Sequence, residues 1–472
     1  MTAQITAPRR RAAAPSTAPF RVGKVAGYLR GRAWYLRYQE QGRRRQPRVG
    51  PDRELAIQLA AEINAQLLIG APSAFAFEPI SLPDLRSHWL ENHEFVRRSS
   101  LHTIRRYRAA TEHLLRFVTD RRPVRYVSDL RPSHVEEFVR YLRTLHVAPN
   151  GHPRARKRQL LDSGVRFILE TCGALINYAR KRRHLPPYAE NPFQMLEIHR
   201  APIDDARPIY ALAPHEEVAL LGACDSWQLP LFATLLMTGL RPGELVHLLL
   251  PDDLDLMDGW LHVRNKPDLG WQIKTRLGRS IPLTPPLVEL LRAWVAGRVT
   301  GPLFRQRRCS AGHQPPLDGH TSAGLRQVLV DRLNSGEKQV ASAGPRERLQ
   351  TVARTVWRDA GALRTDWIRL EFIELMQLLG RSEITAPKTL RHTFATLLQD
   401  ANVDPLIRHE LMGHVPLGAG RATTTSLGMT AVYTHTRPET KRRQLEEALV
   451  HRPIWQLLEA RNRQAAIMTE TA

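Results

Sequence analysis

The stretch Thr238–Leu248, TGLRPGELVHL, decides how the second half of this chain is read. An apolar helix end runs into an arginine on a Pro-Gly corner, then a glutamate, then apolar residues again. Arg241 therefore sits between two segments that both read as buried core. A buried arginine needs an anion, because an unpaired buried charge is costly. Either Glu244 is that anion, or the anion comes from outside the protein.

The 472 residues carry 69 Lys and Arg against 46 Asp and Glu, a formal net charge of +23. A balance that basic predicts a polyanionic partner, nucleic acid ahead of an anionic membrane surface. No run of about 18 apolar residues is present, so no membrane-spanning helix is expected, and the N-terminus lacks the apolar stretch of a signal peptide. Cys172, Cys224 and Cys309 are scattered and odd in number, which fits a reducing, cytoplasmic setting.

The length calls for several domains. Residues 1–20 read as a disordered basic tail rich in Ala, Pro, Ser and Thr. Residues 21–70 carry short strand-like runs split by Gly turns, then an amphipathic helix, giving a small sheet-plus-helix domain. Its Trp34, Tyr35 and Tyr38 read as core, and Arg43, Arg44 and Arg45 as contacts to DNA phosphates. Residues 71–83 read as a linker. Residues 84–200 form a helical module in which Ile104, Tyr107, Leu114 and Phe117 share a face, and Ser133 reads as an N-cap with Glu136 three residues on. Residues 201–212 read as a second linker. Residues 213–450 read as helices around two or three antiparallel strands near 261–283, with a long irregular stretch at 300–386 that holds helical pieces such as DWIRLEFIELMQLLG, followed by a helical tail, 451–472. The fold class is thus mainly α with small β parts, an α+β multidomain chain.

Several cationic residues need a joint explanation. Arg241 sits on its corner, Lys274 near a hairpin turn in QIKTRLGRSIPL, and Lys388, Arg391 and His392 at a helix start in PKTLRHTFATLL. His414 lies on a Gly-flanked turn in LMGHVPLG, and Tyr433 in AVYTHT. Two arginines hold a phosphate through paired N–H···O bonds that lysine does not imitate. A tyrosine hydroxyl becomes a nucleophile when neighbouring cations lower its pKa from about 10. A lysine or histidine can protonate a departing alkoxide. Together these make a kit for breaking a phosphodiester without metal or other cofactor. Cys309, His313 and His320 fall close together, but a zinc site needs about four ligands and no fourth is near in sequence, so a metal-free loop is expected.

In order and wording, TGLRPGELVHLLLPDDLDL, KTRLGRSIPL, TLRHTFATLL, LMGH and AVYTHT resemble the tyrosine recombinase, or phage integrase, family. The resemblance covers residues 207–440. It extends more weakly to 84–200, similar to the family's core-DNA-binding domain, and to 21–70, similar to the arm-type domain of phage integrases. It implies that Arg241 and Arg391 clamp a scissile phosphate, that Lys274 (or, less favoured, Lys266) is the general acid, that His414 hydrogen-bonds the phosphate, and that Tyr433 attacks to give a 3′-phosphotyrosine. Glu244 would support Arg241 from behind. The implied activity is site-specific recombination for a mobile element, on double-stranded DNA. The implied assembly is a homotetramer holding two DNA sites, with an accessory DNA-bending protein, in the bacterial nucleoid. Two departures stand out. Lys388 occupies the place of the family's usual histidine, and Tyr433 follows His414 by 433 − 414 = 19 residues, through an apparent insertion, PLGAGRATTTSLG. A type IB topoisomerase-like relaxing enzyme and a catalytically impaired DNA-binding relative remain alternative readings.

Overall fold

A computed structural model describes residues 17–148, 155–196, 210–335, 344–414 and 436–470. The chain is mainly helical with small sheets and divides into two compact units, Met1–Arg207 and Pro208–Ala472.

The first unit begins with an antiparallel sheet. Strands Phe20–Val22, Val25–Arg30, Ala33–Glu40 and Arg43–Arg45 follow in order, and Arg48–Gly50 also pairs with Ala33–Glu40. Alternate residues Trp34, Leu36 and Tyr38 turn inward with Val25 and pack on Ala56, Ala60 and Ile63 of helix Arg53–Leu68. Asp52 caps that helix by accepting from the Glu54 and Leu55 amides. The segment predicted as a linker, 71–83, is partly pinned to this sheet. The Ser73 amide donates to the Glu40 carboxylate at 2.6 Å, and the Ser73 and Tyr38 hydroxyls lie 2.8 Å apart. Glu40 and Tyr38 are buried polar groups on the inner face, and Ser73 satisfies them.

Helices Leu82–Glu91, Leu101–Asp120, Pro132–Thr144 and Asp162–Lys181 form the rest of this unit. Leu85, Trp89, Ile104, Leu114, Phe117, Phe138 and Leu175 make its core, with Tyr107 partly buried against it. Ser133 does not cap its helix. Pro132 occupies the first turn and Arg131 the cap position, because proline's fixed φ and missing N–H suit a helix start. The ENPF segment ends the unit through Asn191, whose side chain donates to the Gly173 carbonyl at 2.8 Å and accepts from the Phe193 amide at 3.0 Å.

In the second unit, helix Gln228–Thr238 is buried at all eleven positions, as a helix apolar all round must be. It packs with helices Pro285–Val295 and Lys388–Asp400. Strands Leu254–Asp255, Trp260–Val263 and Arg279–Pro282 form a three-stranded antiparallel sheet with Trp260–Val263 in the middle. Phe232, Leu261, Ile281, Leu291, Phe372 and Phe394 lie in the main core.

Two expectations are corrected here. Residues 300–386 are more helical than expected: helices Ser322–Asn334 and Pro345–Asp359 join Thr365–Leu378, which the DWIRLEFIELMQLLG pattern anticipated. The first buries just Leu325 and Leu329, and those two residues share a smaller core with Val352, Val356 and Trp357 of the second. Such a narrow apolar face gives a weak periodic signal in sequence. The predicted separate tail, 451–472, contains helix Pro453–Glu470, whose Ile454 and Leu458 are fully buried in the main core against helices Pro214–Ala223 and Pro285–Val295. That helix therefore completes the core of its own unit.

Candidate active site

The site is built around a left-handed corner. Helix Gln228–Thr238 stops at Gly239, with φ of 62°. A side chain there would be strained, and its Cβ would collide with the Phe394 ring. Helix Lys388–Asp400 can approach so closely because it faces a glycine. Leu390, Phe394, Leu397 and Leu398 bury its apolar side, and Arg391 lies buried beside them, 8% exposed.

Arg391 is fixed on both sides. One terminal nitrogen donates to the Gly239 carbonyl at 2.5 Å, and the other donates to the Met412 carbonyl and lies 3.4 Å from Nε2 of His414. Burial, with Arg241 and Arg279 nearby, pushes its pKa down to about 10, so it remains a cation at neutral pH.

Arg241 precedes the short helix Pro242–Leu245, with Pro242 in the first turn. Its amide donates to one Glu244 oxygen at 2.9 Å and its guanidinium to the other at 2.7 Å. The Arg241 side chain is one-quarter exposed, whereas Glu244 is 3% exposed. Part of Arg241 thus faces outward while Glu244 holds it from behind. Burial pushes the Glu244 carboxyl up, but the hydrogen bonds and charges of Arg279 and Arg241 outweigh this and hold it below the usual carboxylate range.

Arg279 was not singled out in the sequence. Its guanidinium donates to both Glu244 oxygens, at 3.2 and 2.7 Å, and its Nε donates to the Leu411 carbonyl at 2.9 Å. A signal was available: Arg279 lies two residues before Ile281 on one strand, so it shares a face with a fully buried residue.

His414 follows Gly413, whose φ is 60°, and its amide donates to the His409 carbonyl at 3.0 Å. Burial, followed by Arg391, His409, Arg241 and Arg279, holds the imidazole below its ordinary pKa. The structure thus brings Arg241, Arg391, His414 and Glu244 together with Arg279, a net positive cluster chemically able to hold an anion.

The other candidates make no hydrogen bond or ion pair with this cluster among the described residues. Lys274 is exposed on the turn before strand Arg279–Pro282 and has no ion-pair partner among the described residues. Lys266 is buried, with its ammonium 2.7 Å from Asp253; that engagement leaves it poorly suited to proton transfer at a substrate. Lys388 is exposed at the start of its helix. His392 is half-buried, and burial, Lys388 and Arg391 hold its pKa low. Tyr433 and the expected insertion at 415–432 lie outside the described residues. Cys309 lies in the one-turn helix Arg307–Ser310, and no group of three metal-ligating side chains converges among the described residues.

At the N-terminal sheet, Arg43, Arg44 and Arg45 do not form one surface. Cross-strand partners share a face. Arg43 and Arg45 face the same side as Glu40 and Tyr38, and Arg43 pairs with Glu78 at 3.2 Å. Arg44 pairs across from Gln39, on the opposite face. That open face also carries Tyr28 stacked on Tyr35, with centroids 5.8 Å apart, and the exposed Arg37 and Arg48.

Residues 211–440 match the family model described as phage integrase family, a span that includes Arg241, Lys274, Lys388, Arg391, His414 and Tyr433. Residues 211–440 thus form a phage integrase family domain. Among solved structures, it is similar to the Tn1549 transposon integrase in complex with a circular intermediate DNA, at 17% identity and a TM-score of 0.47, covering 78% of this chain and 99% of that one. It is also similar to a lambda integrase dimer bound to a COC′ core site, at 13% identity and a TM-score of 0.44, covering 90% of this chain and 96% of that one. The integrase from mycobacterium phage Brujita matches at 16% identity and a TM-score of 0.31, covering 77% of this chain and 92% of that one. No curated relative matches. No helix among the described residues is long and apolar enough to cross a membrane.

Proposed function

We infer that this phage integrase family protein is a site-specific DNA recombinase of a mobile element, which cuts and rejoins DNA through a 3′-phosphotyrosine. The observation that carries the reading is the arginine pair, Arg241 and Arg391, held beside His414 within the family-matching segment that also supplies Tyr433. The two guanidiniums and the imidazole clamp the non-bridging oxygens of one phosphate and stabilise the charge that builds on them during attack. The Tyr433 oxygen attacks phosphorus, and the bond to the 5′-oxygen breaks. The exposed, mobile-stemmed Lys274 gives that oxygen its proton. Lys388 serves as a further cationic donor. The phosphotyrosine keeps the bond energy, so a 5′-hydroxyl from a second duplex reseals the strand by the reverse reaction without ATP. Two DNA sites held by a homotetramer, with help from a DNA-bending protein in the nucleoid, complete the proposal.

The deciding experiment incubates the protein with duplex DNA from the joined ends of its own element and traps adducts with denaturant. A covalent link from Tyr433 to a 3′-phosphate, absent in Tyr433→Phe although that variant still binds, is expected. Wild-type adduct levels in Tyr433→Phe would remove Tyr433 from the role. Equal activity on any supercoiled plasmid would favour a relaxing enzyme instead.

A further inference from the structure

Glu244 is saturated. A carboxylate offers two oxygens and about four acceptor positions. One oxygen accepts from the Arg241 guanidinium at 2.7 Å and from Arg279 at 3.2 Å; the other accepts from the Arg241 amide at 2.9 Å and from Arg279 at 2.7 Å. Arg279 engages it with two parallel N–H groups and Arg241 with a single guanidinium nitrogen, so the stronger, forked pairing belongs to Arg279. The Arg279 side chain is 5% exposed and Glu244 3%, so this pair is shut away from solvent, whereas Arg241 is not.

We propose that Arg279 is a positioning residue: it takes up the charge of Glu244, so that Arg241 stays available to a phosphate, and it fixes the turn that carries His414. The proposal rests on reading the cluster as a phosphate socket. Glu244 set against Arg279 leaves Arg241 and Arg391 as uncompensated cations. Without Arg279, the buried Glu244 would face Arg241 alone and draw its whole fork inward, away from substrate. The second half of the role is geometric. Nε of Arg279 holds the Leu411 carbonyl at 2.9 Å, and a Cβ at Gly413 would lie 2.7 Å from an Arg279 nitrogen. The backbone leading to His414 therefore runs directly over this guanidinium and requires a glycine to do so.

The test compares four full-length proteins: wild type, Arg279→Met, Glu244→Gln and the double variant Arg279→Met/Glu244→Gln. The rate of covalent adduct formation is measured at saturating DNA carrying the joined element ends, with unfolding midpoints in parallel. Losing one well-placed donor to a developing oxyanion typically slows a reaction about 100-fold or more, and Arg279→Met is expected to slow adduct formation by about 10- to 100-fold. Removing the stranded negative charge in the double variant should then recover at least about tenfold, a non-additivity expected only of coupled residues. A purely structural role predicts that the double variant is as slow as Arg279→Met or slower, and that result would overturn the proposal. Should Arg279→Met not fold, Arg279→Lys decides: it keeps the charge, so it should gain nothing from Glu244→Gln, and a tenfold gain would count against the idea. If wild type forms no adduct, the recombinase reading fails, and inorganic phosphate titrated against the His414 imidazole resonance still decides. Phosphate affinity should fall in Arg279→Met and return in the double variant; unchanged affinity in Arg279→Met would refute the role.

Discussion

Arg391 donates to the carbonyl of Gly239 across 152 residues of sequence, at 2.5 Å. This contact joins the end of the central buried helix to the second arginine of the site. It also shows why the corner before Arg241 must be a glycine: the carbonyl faces Arg391 only while the backbone turns left-handed, and Phe394 fills the space a side chain would need.

Gly239→Ala should therefore destabilise the second unit. The left-handed backbone alone costs about 1–2 kcal/mol for a residue with a Cβ, and the collision with Phe394 adds to it. Urea unfolding followed by tryptophan fluorescence measures the loss. A midpoint equal to wild type would show that the corner relaxes freely.

Lys388 stands where the family usually has histidine. A lysine ammonium offers three donors and no acceptor, and Lys388 is exposed. Lys388→Ala should slow adduct formation without abolishing it, Lys388→His should keep measurable activity, and Arg391→Ala should be far worse than either. The assignment fails if Lys388→Ala is as inactive as Tyr433→Phe.

His247 supplies a pH dependence of stability. It stacks on Trp271 with centroids 4.7 Å apart, meets Trp357 edge-on, and lies 2.7 Å from the Gly243 carbonyl. Burial, with Lys266 nearby, pushes its pKa down to about 4 against the Gly243 hydrogen bond, which raises it. Between about pH 6.5 and about 4 the unfolded chain binds a proton that the folded chain does not. Stability is thus fully present above the unfolded pKa and is lost as pH falls towards 4, by up to about 3 kcal/mol. Urea midpoints at pH 7.5 and 5.0 should differ in wild type by more than in His247→Phe; identical slopes in the two proteins would contradict the assignment.

The open face of the N-terminal sheet gives a contrast among neighbouring arginines. Arg37→Ala, Arg44→Ala and Arg48→Ala should weaken duplex binding in fluorescence anisotropy, each lowering the salt slope by roughly 0.9 per lost phosphate contact. Arg43→Ala should change little, since Arg43 faces the other side and pairs with Glu78. Equal losses for Arg43→Ala and Arg44→Ala would mean that DNA does not lie on this face.

The sequence by itself determined the features that depend on neighbouring residues. The all-apolar helix before Gly239, the Pro-Gly corner, the period of the helical module and the order of the motifs from Arg241 to Tyr433 are each carried by short runs. Tertiary structure alone decided what depends on residues far apart. Glu244 finds Arg279 35 positions away. Ile454 and Leu458 of the last helix enter the core beside Pro214–Ala223, and Pro345–Asp359 supplies the partner that Leu325 and Leu329 need. Arg43, Arg44 and Arg45 are adjacent in sequence yet point to opposite faces, because a strand alternates its side chains and the partner strand fixes which face is buried. Periodicity tells which residues want burial; the packing of distant elements decides against what, and so decides which charges are shared within the protein and which are left for a phosphate.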